Sequence, residues 1–162
     1  MTDPDVAKVE ATIEETCRRV GRESESVRLL AVTKQVGFSA IRQAAEAGVT
    51  MFGENRVQEA RDKAAEGAYS GAKLCLIGHL QSNKARLAVR IFDEVHSVDS
   101  VPLARALGNA AVAYRETPLP VLVEVNAGED PAKYGVLPQD APGLVREILV
   151  TPGLELRGLM TV

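Results

Sequence analysis

No run of about 18 apolar residues occurs in the chain, so no segment is long and apolar enough to cross a bilayer as a helix. The opening stretch, MTDPDVAKVEATIEE, is acidic and has no apolar block, so it does not read as a signal peptide. Only two cysteines are present, Cys17 and Cys75, far apart and in different predicted elements. They fit reduced, buried thiols of a cytoplasmic protein better than a disulfide or a metal site. The two histidines, His79 and His96, are not at ligand spacing, and no metal is expected. Neither G-x-x-x-x-G-K-[ST] nor G-x-G-x-x-G occurs, which removes the common phosphate and dinucleotide loops. There is no G-x-S-x-G turn for a serine nucleophile. The formal net charge of -3 supplies no general basic face, so no nucleic-acid partner is expected. No Pro- or Gly-rich linker divides the chain, so residues 1–162 read as one domain.

What the chain does have is an ordinary globular composition, 46% hydrophobic and 25% charged. Val6, Val9, Ile13, Cys17 and Val20 step by three and four and predict an N-terminal helix. Thr2 or Asp3 would cap it, Pro4 suits its first turn, and Gly21 would end it. A regular alternation follows. Strands are predicted at 27–34, 49–54, 73–78, 95–98, 120–126 and 154–160. Helices are predicted at 39–48, 55–67, 82–92, 99–116 and 138–149. Ser39 reads as a cap, Asn55 and Gln58 stand at capping-box spacing, and Asp99 or Ser100 would cap the helix that has Pro102 in its first turn. Several strands are continuous apolar runs, as expected of parallel strands covered on both faces. The βα order implies an α/β fold with a parallel sheet, either doubly wound or a barrel.

In both architectures the chemistry collects at the carboxyl ends of the strands. Those ends carry Lys34; Glu54-Asn55-Arg56; Gly78 to Lys84; Ser97 to Ser100; Glu124 to Asn126; and Met160-Thr161. Lys34 ends an apolar run with no acidic residue near it in sequence. Such a lysine can be a Schiff-base nucleophile. It can equally be a strand-end lysine whose head reaches water.

The blocks LLAVTKQ, FGENRVQEA, LIGHLQSNKARL, VHSVDS, LVEVNAGEDPAKYGV and LELRGLMTV occur in this order across essentially the whole chain. Together they closely resemble the YggS/PROSC family, the pyridoxal-phosphate homeostasis proteins. The resemblance implies a parallel (β/α)8 TIM-barrel fold like the N-terminal barrel of alanine racemase. It implies pyridoxal 5'-phosphate (PLP) held as an aldimine on Lys34 by a cytoplasmic binder or carrier without established turnover. PLP-dependent apoenzymes are the implied partners, and a complete barrel is expected to be a monomer. Asn55 matches a family position that faces the cofactor, and it could also be a helix cap. His79, Gln81, Ser82, Asn83 and Lys84 lie in the family signature, although capping and loop bonding would also account for Ser82 and Asn83. Met160 matches a pocket-lining segment, with core packing as its plainer role. Lys133 and Tyr134 could form a lid edge.

Two departures stand out. The family usually has an aromatic and then a histidine before the Ile-Gly pair, where this chain has Leu74 and Cys75. A barrel of this type runs to about 250 residues and eight strands. The chain carries six βα units after an N-terminal helix, without the family's phosphate-cradling segments, so weak cofactor binding or none is the expectation. An amino-acid racemase on the same fold is the alternative, needing a base on each face of the cofactor. A cofactor-independent Schiff-base aldolase is a further one.

Overall fold

The structure is a computed structural model that describes residues 6–162. An N-terminal helix, α1 (Val6–Val20), precedes five strand–helix steps and a sixth strand. These are β1 (Ala31–Val32), α2 (Phe38–Glu46), β2 (Met51–Glu54), α3 (Val57–Ala65), β3 (Lys73–Leu76), α4 (Ala85–Ile91), β4 (Glu94–Val98), α5 (Val101–Tyr114), β5 (Leu119–Glu124), α6 (Ala141–Val150) and β6 (Leu154–Met160). Single 3-10 turns occur at Ser24–Ser26 and Ser82–Lys84.

The strands form one parallel sheet in the order β1-β2-β3-β4-β5-β6. Strand order equals chain order, so each βα unit adds its strand beside the last. A doubly wound sheet would reverse direction at a switch point. The progression is that of a TIM-type barrel, and it decides between the two architectures left open above. Among the described residues β1 and β6 do not pair with each other.

The main core lies between the sheet and the helices that cover it. Phe52, Leu76, Val95, Leu119, Val121 and Val123 from the strands meet Ile41, Ala60, Ala88, Leu103, Leu107 and Ile148 from the helices, all essentially sealed from water. At roughly 1.5–3 kcal/mol for each large aliphatic or aromatic side chain buried, this layer supplies most of the drive to fold.

Several boundaries differ from expectation, for local reasons. The first strand shrinks from 27–34 to two residues, because among the described residues its only partner is β2, through Ala31↔Phe52 and Val32↔Gly53. Ser39 is not a cap: Gly37 takes that place and Ser39 lies inside α2. The Asn55/Gln58 capping box does not form, since Arg56 is the cap of α3 and no side chain bonds there. Ser82 opens a 3-10 turn instead of the helix proper. Ser100 caps α5 by position only, with Pro102 in the first turn as expected. The final strand, 154–160, is as predicted. Along α1, Val6 and Cys17 are buried while Val9 and Val20 are exposed, so only part of the apolar stripe is covered. Thr2, Asp3 and Pro4 lie outside the described residues.

Candidate functional site

Because the strands are parallel, all their carboxyl ends lie at one end of the sheet. Lys34 follows β1 in a tight turn, exposed, with no ion-pair or hydrogen-bond partner among the described residues. Its backbone neighbours are held from both sides. The Thr33 hydroxyl donates to Glu54 Oε1 at 2.8 Å, and the Thr33 carbonyl accepts from Lys63 Nζ at 2.7 Å. On the other side the Gln35 N–H donates to Glu59 Oε1 at 2.7 Å. Lys63 ties the two halves together, donating also to Glu54 Oε1 at 2.8 Å and to Glu59 Oε1 at 2.7 Å. The Tyr69 hydroxyl adds a third donor to Glu54 Oε1 at 2.7 Å. Gln35 has φ of 59°, left-handed backbone that costs a non-glycine residue energy and persists only where surroundings impose it.

The electrostatics of this clamp are cooperative. Burial by itself would lower the Lys63 ammonium, but its hydrogen bonds to Glu54 and Glu59 outweigh it and hold Lys63 above its ordinary value. Glu59 is held below the usual carboxylate range by Lys63 and by the Gln35 N–H. Burial drives the Tyr69 hydroxyl well above the ordinary phenol range, so it stays a donor.

Beside this turn is a cavity of about 280 Å3, near the lower end of small-molecule sites at roughly 300–1,000 Å3. Its walls come from the ends of β2, β3 and β5 and the loop after β5: Asn55, Gly78, His79, Glu124, Asn126 and Tyr134 among them. Lys34 is not part of that wall; it stands at the end of the neighbouring strand. Asn55 Oδ1 and Glu124 Oε2 are buried and have no hydrogen-bond partner among the described residues. Burial in particular, and then the nearby Asp99 carboxylate, push Glu124 above the usual carboxylate range, with His79 opposing them. Gly78 is required by close approach: a Cβ there would lie 2.4 Å from the Asn55 carbonyl oxygen.

His79 is oriented from two directions. Its Nδ1 lies 3.0 Å from Asp99 Oδ2, and its ring stacks on Tyr134 with centroids 3.9 Å apart and planes 9° from parallel. The loop that delivers Tyr134 folds back on β5. Asn126 donates through Nδ2 to the Asp130 carbonyl at 2.7 Å and accepts the Asp130 N–H at 3.1 Å. The Val136 N–H donates to the Glu124 carbonyl at 2.9 Å. Gly135, at φ of 104°, takes the bend where a Cβ would meet the Asn126 nitrogen at 2.7 Å. Lys133 also lines the cavity and donates to the Val162 carbonyl at 3.3 Å.

Of the residues singled out from sequence, Asn55 and His79 are brought together at the cavity, with Lys34 one strand away. Gln81, Ser82 and Asn83 are exposed on the 3-10 turn and do not line it, and Lys84 is half-buried there. Met160 is half-buried beside Glu124 in the sheet register, accepts the Val125 N–H at 2.8 Å, and does not line the cavity. Sequence reasoning placed Glu54 at a strand end without a role and missed Glu59, Lys63 and Tyr69. The one signal available was the four-residue spacing of Glu59 and Lys63 on a helix.

The alanine racemase N-terminal domain family matches residues 5–162. A pyridoxal phosphate homeostasis protein of Pseudomonas aeruginosa is 41% identical over 157 residues, spanning 97% of this chain and 68% of that protein. The chain belongs to the pyridoxal phosphate homeostasis protein family. Among solved structures, PipY of Synechococcus elongatus, with PLP bound, superposes with a TM-score of 0.77 at 37% identity, covering 93% of this chain and 69% of PipY. Alanine racemase of Clostridium difficile gives a TM-score of 0.70 at 14% identity, over 83% of this chain and 36% of the racemase, a likeness of fold alone.

Proposed function

We propose that this member of the homeostasis family binds PLP at the carboxyl end of its sheet, with the Lys34 amine as the covalent attachment point. The observation that carries the reading is the turn at Lys34: an unpartnered amine on a backbone clamped at Thr33 and Gln35. An unpaired amine on a rigidly held backbone suits the capture of an aldehyde carbon.

The residues present fit the group. Two buried acceptors, Asn55 Oδ1 and Glu124 Oε2, lack donors. PLP brings a phenolic hydroxyl and a ring nitrogen that can meet such atoms. Asn55 and Glu124 would contact the cofactor, and His79 with Tyr134 would close one side. Ser82, Asn83 and Met160 would act from the cavity's surroundings. When bound, PLP supplies a reactive aldehyde and an electron-withdrawing ring. The chain's part is to hold and shield that aldehyde, keeping its free concentration low in the cytoplasm and releasing it to PLP-dependent apoenzymes.

A racemase is not favoured. Relatives named for homeostasis stand at 35–41% identity, while the racemases share only the fold.

The test is the absorbance spectrum after adding PLP, for the chain and for Lys34→Ala. A Lys34-dependent band is expected, and borohydride trapping should add one pyridoxyl group at Lys34. Trapping at another lysine, or an identical spectrum in Lys34→Ala, overturns the reading.

A further inference from the structure

Away from the cofactor cavity, the inner face of the sheet holds a second group of donors. Phe52 and Glu54 face the helix layer, where they meet Tyr69 and Lys63. Strand alternation therefore turns Gly53 to the opposite, inner face. A Cβ on Gly53 would indeed meet Leu30 and Ile77 there. In the parallel register Gly53 pairs with Cys75, and Cys75 pairs with Glu94. His96, two residues on from Glu94, shares its face. The three side chains converge: Cys75 Sγ, a Glu94 carboxylate oxygen and a ring nitrogen of His96 all lie within 4.8 Å of one another. Cys75 is fully buried, and Glu94 and His96 are more than nine-tenths buried. None of them lines the cofactor cavity.

We propose that Cys75, Glu94 and His96 form a binding site for a divalent transition-metal ion of the zinc class. One thiol, one imidazole and one carboxylate are a zinc donor set, leaving a fourth position for water. Tetrahedral bonds of zinc length place such donors about 3.3–3.6 Å apart, so the side chains need only a small inward shift.

The charges now at the site show what the ion would replace. Glu94 Oε2 lies 3.0 Å from His96 Nε2, and Glu94 Oε1 accepts from Lys73 Nζ at 3.0 Å. Burial opposes ionisation of Glu94, yet His96 and Lys73 hold it below the usual carboxylate range. The Lys73 side chain is about half exposed and can swing to solvent. On binding, a metal–sulfur bond forms and the Cys75 proton leaves to water. The Glu94–His96 contact opens as both turn to the ion, and Lys73 withdraws still protonated. No electron is transferred.

The test is Co2+ titration of metal-free protein. A thiolate-to-cobalt charge-transfer band saturating at one equivalent, and bleached by Zn2+, is expected. Cys75→Ser should lose the band, and Cys17→Ser, altering the other thiol, should keep it. Glu94→Gln and His96→Ala should each weaken Zn2+ binding at least tenfold, and Lys73→Met should tighten it. Absence of the band, its survival in Cys75→Ser, or its loss in a folded Cys17→Ser overturns the proposal. If Cys75→Ser does not fold, unchanged Zn2+ affinity in Glu94→Gln overturns it equally. The site is separate from Lys34, so failure here leaves the PLP spectrum unaffected.

Discussion

The Gln35 N–H donates to the Glu59 carboxylate at 2.7 Å, across 24 residues of sequence. Glu59 in turn accepts from Lys63, and Lys63 reaches back to the Thr33 carbonyl. Lys34 thus sits between two peptide groups anchored to one helix. A long, exposed side chain is thereby given a fixed backbone base, and the anchoring residues Glu59 and Lys63 do not line the cavity.

Removing the cation at the centre of this arrangement should be costly. Lys63→Met leaves the fully buried Glu54 carboxylate without its positive partner. Truncating one partner of a buried pair costs about 3–5 kcal/mol. Urea denaturation should show that loss. Lys34→Ala, at an exposed and unpartnered site, should change stability by less than about 0.5 kcal/mol while abolishing the PLP-dependent band.

The same clamp predicts a pH window. Glu59 is depressed in the fold, so its contribution is complete above its unfolded value and is lost as pH falls through the folded one. Lys63 is raised, so its contribution is complete below its unfolded value and is lost as pH rises through the folded one. Thermal stability should hold on a plateau at intermediate pH and fall below pH about 4 and above pH about 10.5. Glu59→Gln should flatten the acid limb, read by Tm against pH.

Glu124 carries the opposite sign from Glu59. Its carboxyl is raised, so its stability contribution is present at acid pH and declines as pH rises through the folded value. Glu124→Gln should raise stability at neutral pH by on the order of 1 kcal/mol, the scale of relieving one unsatisfied buried group. It should also change the PLP spectrum, because Glu124 lines the cavity. An unchanged spectrum would remove Glu124 from the cofactor's surroundings.

Gly78→Ala should injure the site and the fold together. The added methyl would meet the Asn55 carbonyl oxygen at 2.4 Å and its Cα at 2.7 Å, and backbone cannot rotate away. Overpacking of this kind costs about 1–3 kcal/mol. The displaced Asn55 should weaken PLP retention more than the loss of Tm alone would suggest. Equilibrium dialysis beside a melting curve separates the two effects.

The fold class was legible because apolar runs and helical stripes repeat in a βα rhythm, and in a parallel sheet that rhythm is the architecture. β6 matched closely because it pairs with β5 from Leu154 to Met160, with one register shift at Arg157. β1 did not, because strand length depends on the partner, and β2 offers it only two registered residues. Asn55 read as a helix cap because side-chain chemistry at that spacing allows it. In the structure the cap falls one residue later, which leaves Asn55 Oδ1 unpartnered at the cavity.

By itself, the sequence determined that polar groups gather at the strand ends and that a lysine closes the first strand. These follow from residue order and strand polarity. Only the tertiary structure decided which acids serve that lysine's backbone, since Glu54 and Glu59 reach Thr33 and Gln35 through packing between β1, β2 and α3. It also decided that the two thiols differ. Cys17 lies on the N-terminal helix α1, while strand register sets Cys75 beside Glu94 and His96. Linear spacing assigns no metal ligands here, because hydrogen bonding between neighbouring strands is what brings residues about twenty apart onto one face.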